Sequence, residues 1–216
     1  MYNINMQLTK REHACLDIQL EQSRLIIDPG IFTKPLNDYS KITTVVITHE
    51  HPDHYDQEKI QQILAENPNV KIFCTAKVAE SIADPRTQVV RAGDSIAAGN
   101  FKLDFFGEKH ATIAQQIEPI DNVGVLINDK LFYPGDALTQ IDKPYEVLAL
   151  PINAPWTKLS EVIDYIVNSP ARIVFPTHNG LLNQNGLNVY YSYPKQICGQ
   201  NNKQMIILDN QQAFTI

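Results

Sequence analysis

The sequence predicts an α/β protein of the α+β type, whose strands end in polar side chains at one edge of a β-sheet. Short apolar or alternating segments recur along the chain and indicate strands, and apolar residues at helical spacing between them indicate amphipathic helices. Several strands run directly into a histidine or an aspartate. Because open α/β sheets carry their chemistry beyond the carboxyl ends of their strands, these positions predict a functional site.

Composition narrows the class of protein before any motif is considered. The chain has 216 residues, 44% of them hydrophobic and 19% charged, which is ordinary for one globular domain with a sizeable core. No apolar run approaches the roughly 20 residues that cross a bilayer, and residues 1–6 lack the pattern of a signal peptide. We therefore expect a cytoplasmic protein with no membrane partner.

Charge and cysteine content exclude further classes. The formal net charge is -6 and no cluster of Lys and Arg occurs, so nucleic acid is not an expected partner. Cys15, Cys74 and Cys198 are far apart and form no Cys-x-x-Cys pair, which predicts buried, reduced thiols rather than disulfides or a zinc ribbon. Composition leaves homo-oligomerisation open.

The order of predicted elements divides the chain into two halves. The first half contains a β-meander at residues 2–8, 16–20 and 25–27, a strand at 44–48, a helix capped by Asp56 and running to Ala65, a strand at 70–74 and a short helix at 77–83. The second half contains strands at 89–90, 95–97, 102–106, 123–127, 131–133, 147–150 and 172–178, a helix at 159–167, and a final hairpin that joins 205–208 to 213–215 around Asn210.

The most informative segment is the apolar, β-branched run at residues 45–48 together with the six residues that follow it. It ends in the pattern His-x-His-x-Asp-His, formed by His49, His51, Asp53 and His54. In an extended segment alternate side chains point to the same side, so His49 and His51 can bind one ion while Asp53 or His54 turns toward a second. A solvated polar loop is the alternative, but such loops seldom follow so apolar a strand or contain half of a protein's histidines.

Two further histidines and an aspartate follow later strands in the same way. His110 comes after the strand at 102–106, Asp136 follows the strand at 131–133, and His178 ends the last long strand. Together with the first motif, this order of residues resembles the metallo-β-lactamase superfamily, and the resemblance covers nearly the whole chain. It implies a four-layer αββα sandwich of two mixed β-sheets with helices outside, and a single metallo-β-lactamase-like domain over residues 1–216.

The resemblance also implies a ligand set and a reaction. It assigns His49, His51 and His110 to one metal ion, Asp53, His54 and His178 to a second, and Asp136 to a position bridging both. Zinc is the first expectation because imidazole and carboxylate occur without thiolate, with manganese or iron as alternatives. A metal-bridging hydroxide could attack a lactone, ester or phosphodiester, with Asp53 and Asp136 as catalytic residues.

Within the superfamily the chain is similar to the small branch that includes the ascorbate-phosphate lactonase, which implies a small-molecule, anionic substrate. The commonest β-lactamases carry Cys where Asp136 stands, so antibiotic hydrolysis is not favoured. Two other functions stay open, namely a metal-dependent ligand-binding or sensing module without turnover and a mononuclear iron oxidoreductase. The role of His13 also stays open, between lining the pocket and a structural or surface position.

Residues around the motif are expected to support it. Loops at residues 115–122, 153–158 and 181–193 are predicted to form the pocket walls. Metal-ligating histidines usually donate their second ring N–H to an oxygen, and Asp28, Thr48 and Thr177 are the nearest polar groups. An apolar strand ending in Thr-His occurs twice in the sequence, which suggests two related halves facing each other across the site.

Overall fold

The computed structural model describes residues 5–208 and 212–216, which form fourteen strands and four helices. The strands are β1 Gln7–Lys10, β2 Leu16–Leu20, β3 Ser23–Ile27, β4 Thr44–Ile47, β5 Lys71–Cys74, β6 Thr87–Val89, β7 Ser95–Ala98, β8 Phe101–Phe106, β9 Gly124–Ile127, β10 Leu131–Tyr133, β11 Val147–Pro151, β12 Ile173–Thr177, β13 Gln204–Met205 and β14 Ala213–Thr215. The helices are α1 Gln57–Glu66, α2 Ala76–Ile82, α3 Leu159–Asn168 and α4 Gln184–Gln200.

The strands form two mixed sheets of similar design. The first sheet has the order β14-β1-β2-β3-β4-β5-β6, antiparallel up to β3 and parallel beyond it. The second sheet has the order β13-β12-β11-β10-β9-β8-β7, with β10 to β13 parallel and the remainder antiparallel. In each sheet the parallel strands bring their carboxyl ends to a common edge.

Alternation along the strands separates a central core from two outer ones. In β4, Val46 packs in the core between the sheets, whereas Val45 and Ile47 pack with Ile60 of α1 and the apolar face of α2. In β11, Leu148 packs with Val162 of α3 on the outside of the second sheet. Because successive strand residues point to opposite faces, each sheet separates the central core from a helical layer. The predicted four-layer αββα sandwich is therefore confirmed.

The helix that follows the histidine motif begins where the sequence predicts. The Asp56 carboxylate accepts hydrogen bonds from the backbone N–H groups of Glu58 and Lys59, at 2.9 and 3.4 Å. Such a cap satisfies donors that the first helical turn leaves free. The helix ends at Glu66, one residue after the predicted end, and its start fixes the chain immediately after His54.

The predicted hairpin at the carboxyl end is wrong. β13 pairs in parallel with β12 of the second sheet, whereas β14 pairs antiparallel with β1 of the first sheet. Between them Ile206 and Leu208 pack against the core that lies between the sheets. Their burial favours a path from the second sheet to the first over a hairpin within one sheet. Asn210, the predicted turn, lies outside the described residues, as do Tyr2 and Ile4 of the predicted first strand.

The segment 181–193, predicted as a loop, is largely helical. Helix α4 starts at Gln184, where the Asn183 side chain accepts a hydrogen bond from the Gly186 N–H at 3.0 Å. Its polar sequence contains Gly186 and Pro194 and has only two buried residues, so apolar periodicity does not reveal it. Only residues 181–183 remain a loop next to the site.

Two further expectations concern the whole chain. Cys15, Cys74 and Cys198 are free and buried, as the sequence predicts. Among the described residues, no helix combines the length and apolar character needed to span a membrane.

Candidate metal centre

The side chains singled out in the sequence meet where strands of both sheets end. Two groups of potential ligand atoms form there, each with all its atoms within 4.8 Å of one another. The His49 group consists of His49, His51, His110 and Asp136. The Asp53 group consists of His13, Asp53, His54 and His178. The structure thus brings together all seven predicted residues and adds His13.

The loop that carries His51, Asp53 and His54 is held against the turn after β3. The Ile31 N–H donates to the Pro52 carbonyl oxygen at 2.8 Å. A Cβ atom on Gly30 would lie only 1.9 Å from the Asp53 carbonyl oxygen, so this approach of two backbones requires glycine at position 30. The Asp28-Pro29-Gly30 sequence is therefore part of the site as well as a turn.

Asp28 is a fully buried carboxylate that organises the first-sheet part of the site. Its Oδ2 atom lies 2.7 Å from Nδ1 of His54 and accepts hydrogen bonds from the hydroxyls of Thr48 and Tyr133, at 2.7 and 2.8 Å. Its Oδ1 atom accepts from the Thr48 backbone N–H at 2.8 Å. Because His54 donates through Nδ1, its Nε2 atom turns to the site without a proton when the ring is neutral.

The same chain of bonds fixes His49. The Thr48 hydroxyl uses its proton on Asp28, so it accepts at Oγ1 from His49 Nδ1, at a distance of 3.0 Å. In the neutral ring His49 Nε2 is then the nitrogen without a proton, and it lies within hydrogen-bonding distance, 3.2 Å, of Nδ1 of His51. The predicted support from Asp28 and Thr48 is present, and Tyr133 joins it without any signal in the sequence.

The two histidines of the second sheet depend on main-chain oxygens instead. His110 Nδ1 lies 2.6 Å from the Ala111 carbonyl oxygen, and His178 Nδ1 lies 2.7 Å from the Asn153 carbonyl oxygen. The expected support of His178 by the Thr177 side chain is wrong. His178 has a left-handed backbone conformation, with φ of 57°, so its ring is not placed relative to Thr177 as His49 is relative to Thr48.

His13 is buried in the site, and its ring carries the proton on the other nitrogen than the rings of His49 and His54. The Gly180 N–H donates to His13 Nδ1 at 3.0 Å, so the proton of the neutral ring is on Nε2, which lies 3.0 Å from Asp53 Oδ2. Burial lowers the pKa of His13 to about 4, although the hydrogen bond to Asp53 opposes this shift. His13 therefore donates a hydrogen bond to Asp53. No sequence pattern pairs these two residues.

Asp136 lies between the two groups. Its Oδ1 is 3.0 Å from His54 Nε2, and its Oδ2 is 3.1 Å from His178 Nε2 and 3.4 Å from His110 Nε2. The three Nε2 atoms and Asp136 Oδ1 are buried without a directed hydrogen bond, so these short approaches are not aligned as donor–acceptor pairs. Unpaired buried nitrogens and a carboxylate oxygen turned to one space form a donor set that fits divalent metal ions.

Electrostatics at the centre favours bound positive charge. Burial by itself would lower the pKa of His54, but Asp136 and Asp28 raise it well above the usual value. Burial would raise the pKa of Asp136, but His54 and His178 hold it well below the usual range. Burial lowers the pKa of His49. The raised pKa of His54 and the lowered pKa of Asp136 mean that the site attracts positive charge, and a divalent ion would take the place of the His54 proton because imidazole binds metal in its neutral form.

Two further residues that the sequence did not single out hold Asp136. Trp156 Nε1 donates to Asp136 Oδ2 at 3.0 Å, and Asn122 Oδ1 accepts from the Asp136 N–H at 3.0 Å. Trp156 is the chain's one tryptophan and lies within segment 153–158, which the sequence predicted as a pocket wall. That prediction is the sequence feature that pointed to Trp156. Asn122 ends the predicted segment 115–122. Trp156 therefore holds the carboxylate of Asp136 and Asn122 holds its backbone, at a residue that faces both groups.

Comparison with known proteins agrees with this arrangement. The family described as "Beta-lactamase superfamily domain" matches residues 7–178. Protein Rv0786c of Mycobacterium tuberculosis is 34% identical over 192 residues, which cover 86% of this chain and 90% of that protein. A UPF0173 metal-dependent hydrolase of Metallosphaera sedula is 26% identical over 190 residues, covering 77% of this chain and 80% of the relative.

Solved structures share the fold at low sequence identity. Igni18, a metallo hydrolase from the archaeon Ignicoccus hospitalis, superposes with a TM-score of 0.77 at 17% identity, covering 98% of each chain. The family match, the relatives and the two mixed sheets with strand-end histidines lead to one assignment. The chain belongs to the metallo-β-lactamase superfamily.

Proposed function

We propose that the protein hydrolyses a lactone, ester or phosphodiester of a small molecule at a centre of two metal ions. The observation that supports this most directly is the division of the site into two ligand groups with Asp136 between them. A mononuclear centre would need only one such group. The resemblance to the lactonase branch makes lactones the first substrates to test.

The proposed ligands are those that the resemblance implies, and they match the two groups formed in the structure apart from His13. His49, His51 and His110 would hold one ion, Asp53, His54 and His178 the other, and Asp136 both. His13 is left out because its Nδ1 accepts a hydrogen bond and its Nε2 carries the proton. Zinc is the first choice for a site of imidazoles and carboxylates without thiolate, and manganese or iron would fit the same donors.

The roles of the protein groups follow from their positions. When bound, two divalent ions would lower the pKa of a water molecule and polarise the scissile carbonyl or phosphoryl group. Asp136, held by Trp156 and Asn122, would keep the two ligand groups at a fixed separation. Asp53 is partly exposed at the cleft, where its carboxylate could orient the attacking water or pass a proton to the leaving group.

Metal analysis combined with substrate screening tests this function. Protein purified under anaerobic conditions is expected to hold two ions per chain, and metal-loaded protein is expected to hydrolyse at least one of a lactone, a thioester and a bis-phosphodiester. A chelator should abolish the activity and zinc should restore it. Tight metal binding without turnover of any of these would favour the ligand-binding alternative, and a single redox-active iron would favour the oxidoreductase.

A further inference from the structure

A cleft of about 330 Å³ opens directly above the candidate metal centre. Its floor consists of His51, Asp53, His110, Asp136 and His178. Its walls are apolar and include Ile31, Phe32, Ile113, Trp156 and Leu181. The volume of this cleft is at the lower end of the range for small-molecule sites. A substrate would therefore contact the walls with the part that lies next to its scissile bond.

Four of these wall residues are unusually exposed for apolar side chains. Ile31 and Leu181 are each 55% exposed, Phe32 42% and Ile113 39%. Four of the ten large apolar residues that are exposed in the described part of the chain therefore line this one cleft. They come from separate loops after β3, β8 and β12. An apolar patch assembled from separate loops around a reactive centre indicates a binding surface.

The lining of the cleft contains no lysine or arginine that would pair with an anionic substrate. The adjoining hollow beside Ile113 contains Glu118. The chain as a whole has a net charge of -6. An anionic substituent outside the metal ions would therefore lose hydration without gaining a cationic partner. The lining residues do not support the expectation of an anionic substrate.

We propose that the substrate is an uncharged carboxylic ester or lactone with an alkyl or aryl group, and that this apolar group packs between Ile31, Phe32 and Leu181. The proposal rests on the proposed hydrolase function and specifies its substrate class. One water is added across the acyl C–O bond, giving a carboxylic acid and an alcohol after the alkoxide takes up a proton. The apolar group stays on the walls while the acyl carbon faces Asp53 and Asp136.

Binding of alkyl hydroxamic acids to zinc-loaded protein tests the walls independently of turnover. The hydroxamate head chelates metal and stays constant while the chain lengthens from acetohydroxamic to octanohydroxamic acid. Affinity measured by calorimetry is expected to rise about two- to fourfold per added methylene until the chain outgrows the cleft. Succinic monohydroxamic acid, which carries a carboxylate in place of a methyl group, should bind more weakly than its uncharged analogue.

Substitutions in the walls test whether the wall residues cause the dependence of hydroxamate affinity on chain length. Ile31→Ser and Leu181→Ser should flatten the dependence on chain length while leaving acetohydroxamic acid binding within about twofold. Ile207→Ser is the matched control, because Ile207 is also exposed but does not line the cleft. A series of lactones with alkyl groups of increasing length, assayed for hydrolysis by the unmodified protein, should show a similar increase in kcat/KM with length.

The outcomes separate this proposal from the proposed function. An increase in hydroxamate affinity without hydrolysis of any lactone or ester would refute the hydrolase function and retain the apolar site. Affinity that is independent of chain length, or stronger binding of the anionic analogue, would overturn the proposed substrate class. So would a dimer, detected by sedimentation, that Leu181→Ser dissociates without changing the hydroxamate series, because the walls would then be an interface between copies.

Discussion

The two sheets contribute to the metal centre in different ways. The first sheet contributes four residues from one loop after β4, and the rings of two of them, His49 and His54, are held by the side chains of Thr48 and Asp28. The second sheet contributes His110, Asp136 and His178 from three separate strand ends, and its histidines are held by main-chain carbonyls. Support by a side chain can be removed by one substitution, whereas support by a carbonyl cannot. Mutational sensitivity should therefore differ between the two sides.

The largest effect is expected where the two sides meet. Asp136→Ala removes a carboxylate that approaches Nε2 atoms of both groups, so we expect hydrolysis to fall by more than roughly 100-fold, the upper range for residues that only support a ligand. The His49 side chain and its neighbours should still hold one ion. Metal content and kcat/KM measured together, with exposed Asp142→Ala as control, check this. Full turnover with a single ion bound would refute the two-metal mechanism.

A smaller effect is expected from the carboxylate that supports the first-sheet side. Asp28→Asn keeps the size but replaces one acceptor oxygen by an N–H₂ group, so His54 and the hydroxyls of Thr48 and Tyr133 cannot all remain paired. We expect zinc affinity to fall about 10- to 100-fold, and the metal-free protein to lose about 1–3 kcal/mol in urea unfolding. Unchanged zinc affinity would show that side-chain support is not needed on this side.

The same contrast explains how much of the site could be predicted from the sequence. The candidate ligands of the first sheet form one continuous pattern, His49 to His54, so residue types and spacing were sufficient to single them out. His110, Asp136 and His178 are spread over the second half and became candidates as a set through resemblance to a family. The bonds from Tyr133 to Asp28 and from Trp156 to Asp136 depend on tertiary structure, and a single sequence does not show which residues pair in this way.

The fold was predictable to the extent that its strands are apolar and its helices amphipathic. The strand before His49 is apolar and the helix capped by Asp56 is amphipathic, and each was predicted close to its observed position. Helix α4 has few buried residues, so periodicity could not reveal it. The last two strands are short and adjacent in sequence, which favoured a hairpin, but the core between the sheets places them in different sheets.

The next effect concerns His13, which joins the two sides and is not among the proposed ligands. His13 accepts from Gly180 after β12 and donates to Asp53 after β4, so it orients Asp53 relative to His178. His13→Phe keeps a ring of similar size but has no donor, and we expect kcat to fall roughly tenfold with both ions retained. His13→Gln, which keeps an N–H donor, should recover part of the loss. Loss of one metal ion from the Phe variant would instead identify His13 as a ligand.

The smallest effect comes from a matched pair of threonines, each followed by a candidate ligand histidine. The Thr48 hydroxyl bridges Asp28 and His49, so Thr48→Val leaves His49 Nδ1 without its acceptor. Thr177→Val should leave His178 in place, because that ring is held by the Asn153 carbonyl oxygen. We expect zinc affinity to fall about tenfold in the first variant and to stay within about twofold in the second.

Zinc competition with a chromophoric chelator measures the affinities, and imidazole ¹⁵N shifts report which ring nitrogen carries the proton. The shifts of His49 should move toward a mixture of tautomers in Thr48→Val, whereas those of His178 should not change in Thr177→Val, since its Nδ1 proton stays on a main-chain acceptor. Both substitutions remove a buried hydroxyl next to a strand end, so a general loss of packing would affect the two variants equally. Equal losses of zinc affinity would therefore show that the local Thr-His sequence, rather than the bond between Thr48 and His49, determines metal binding.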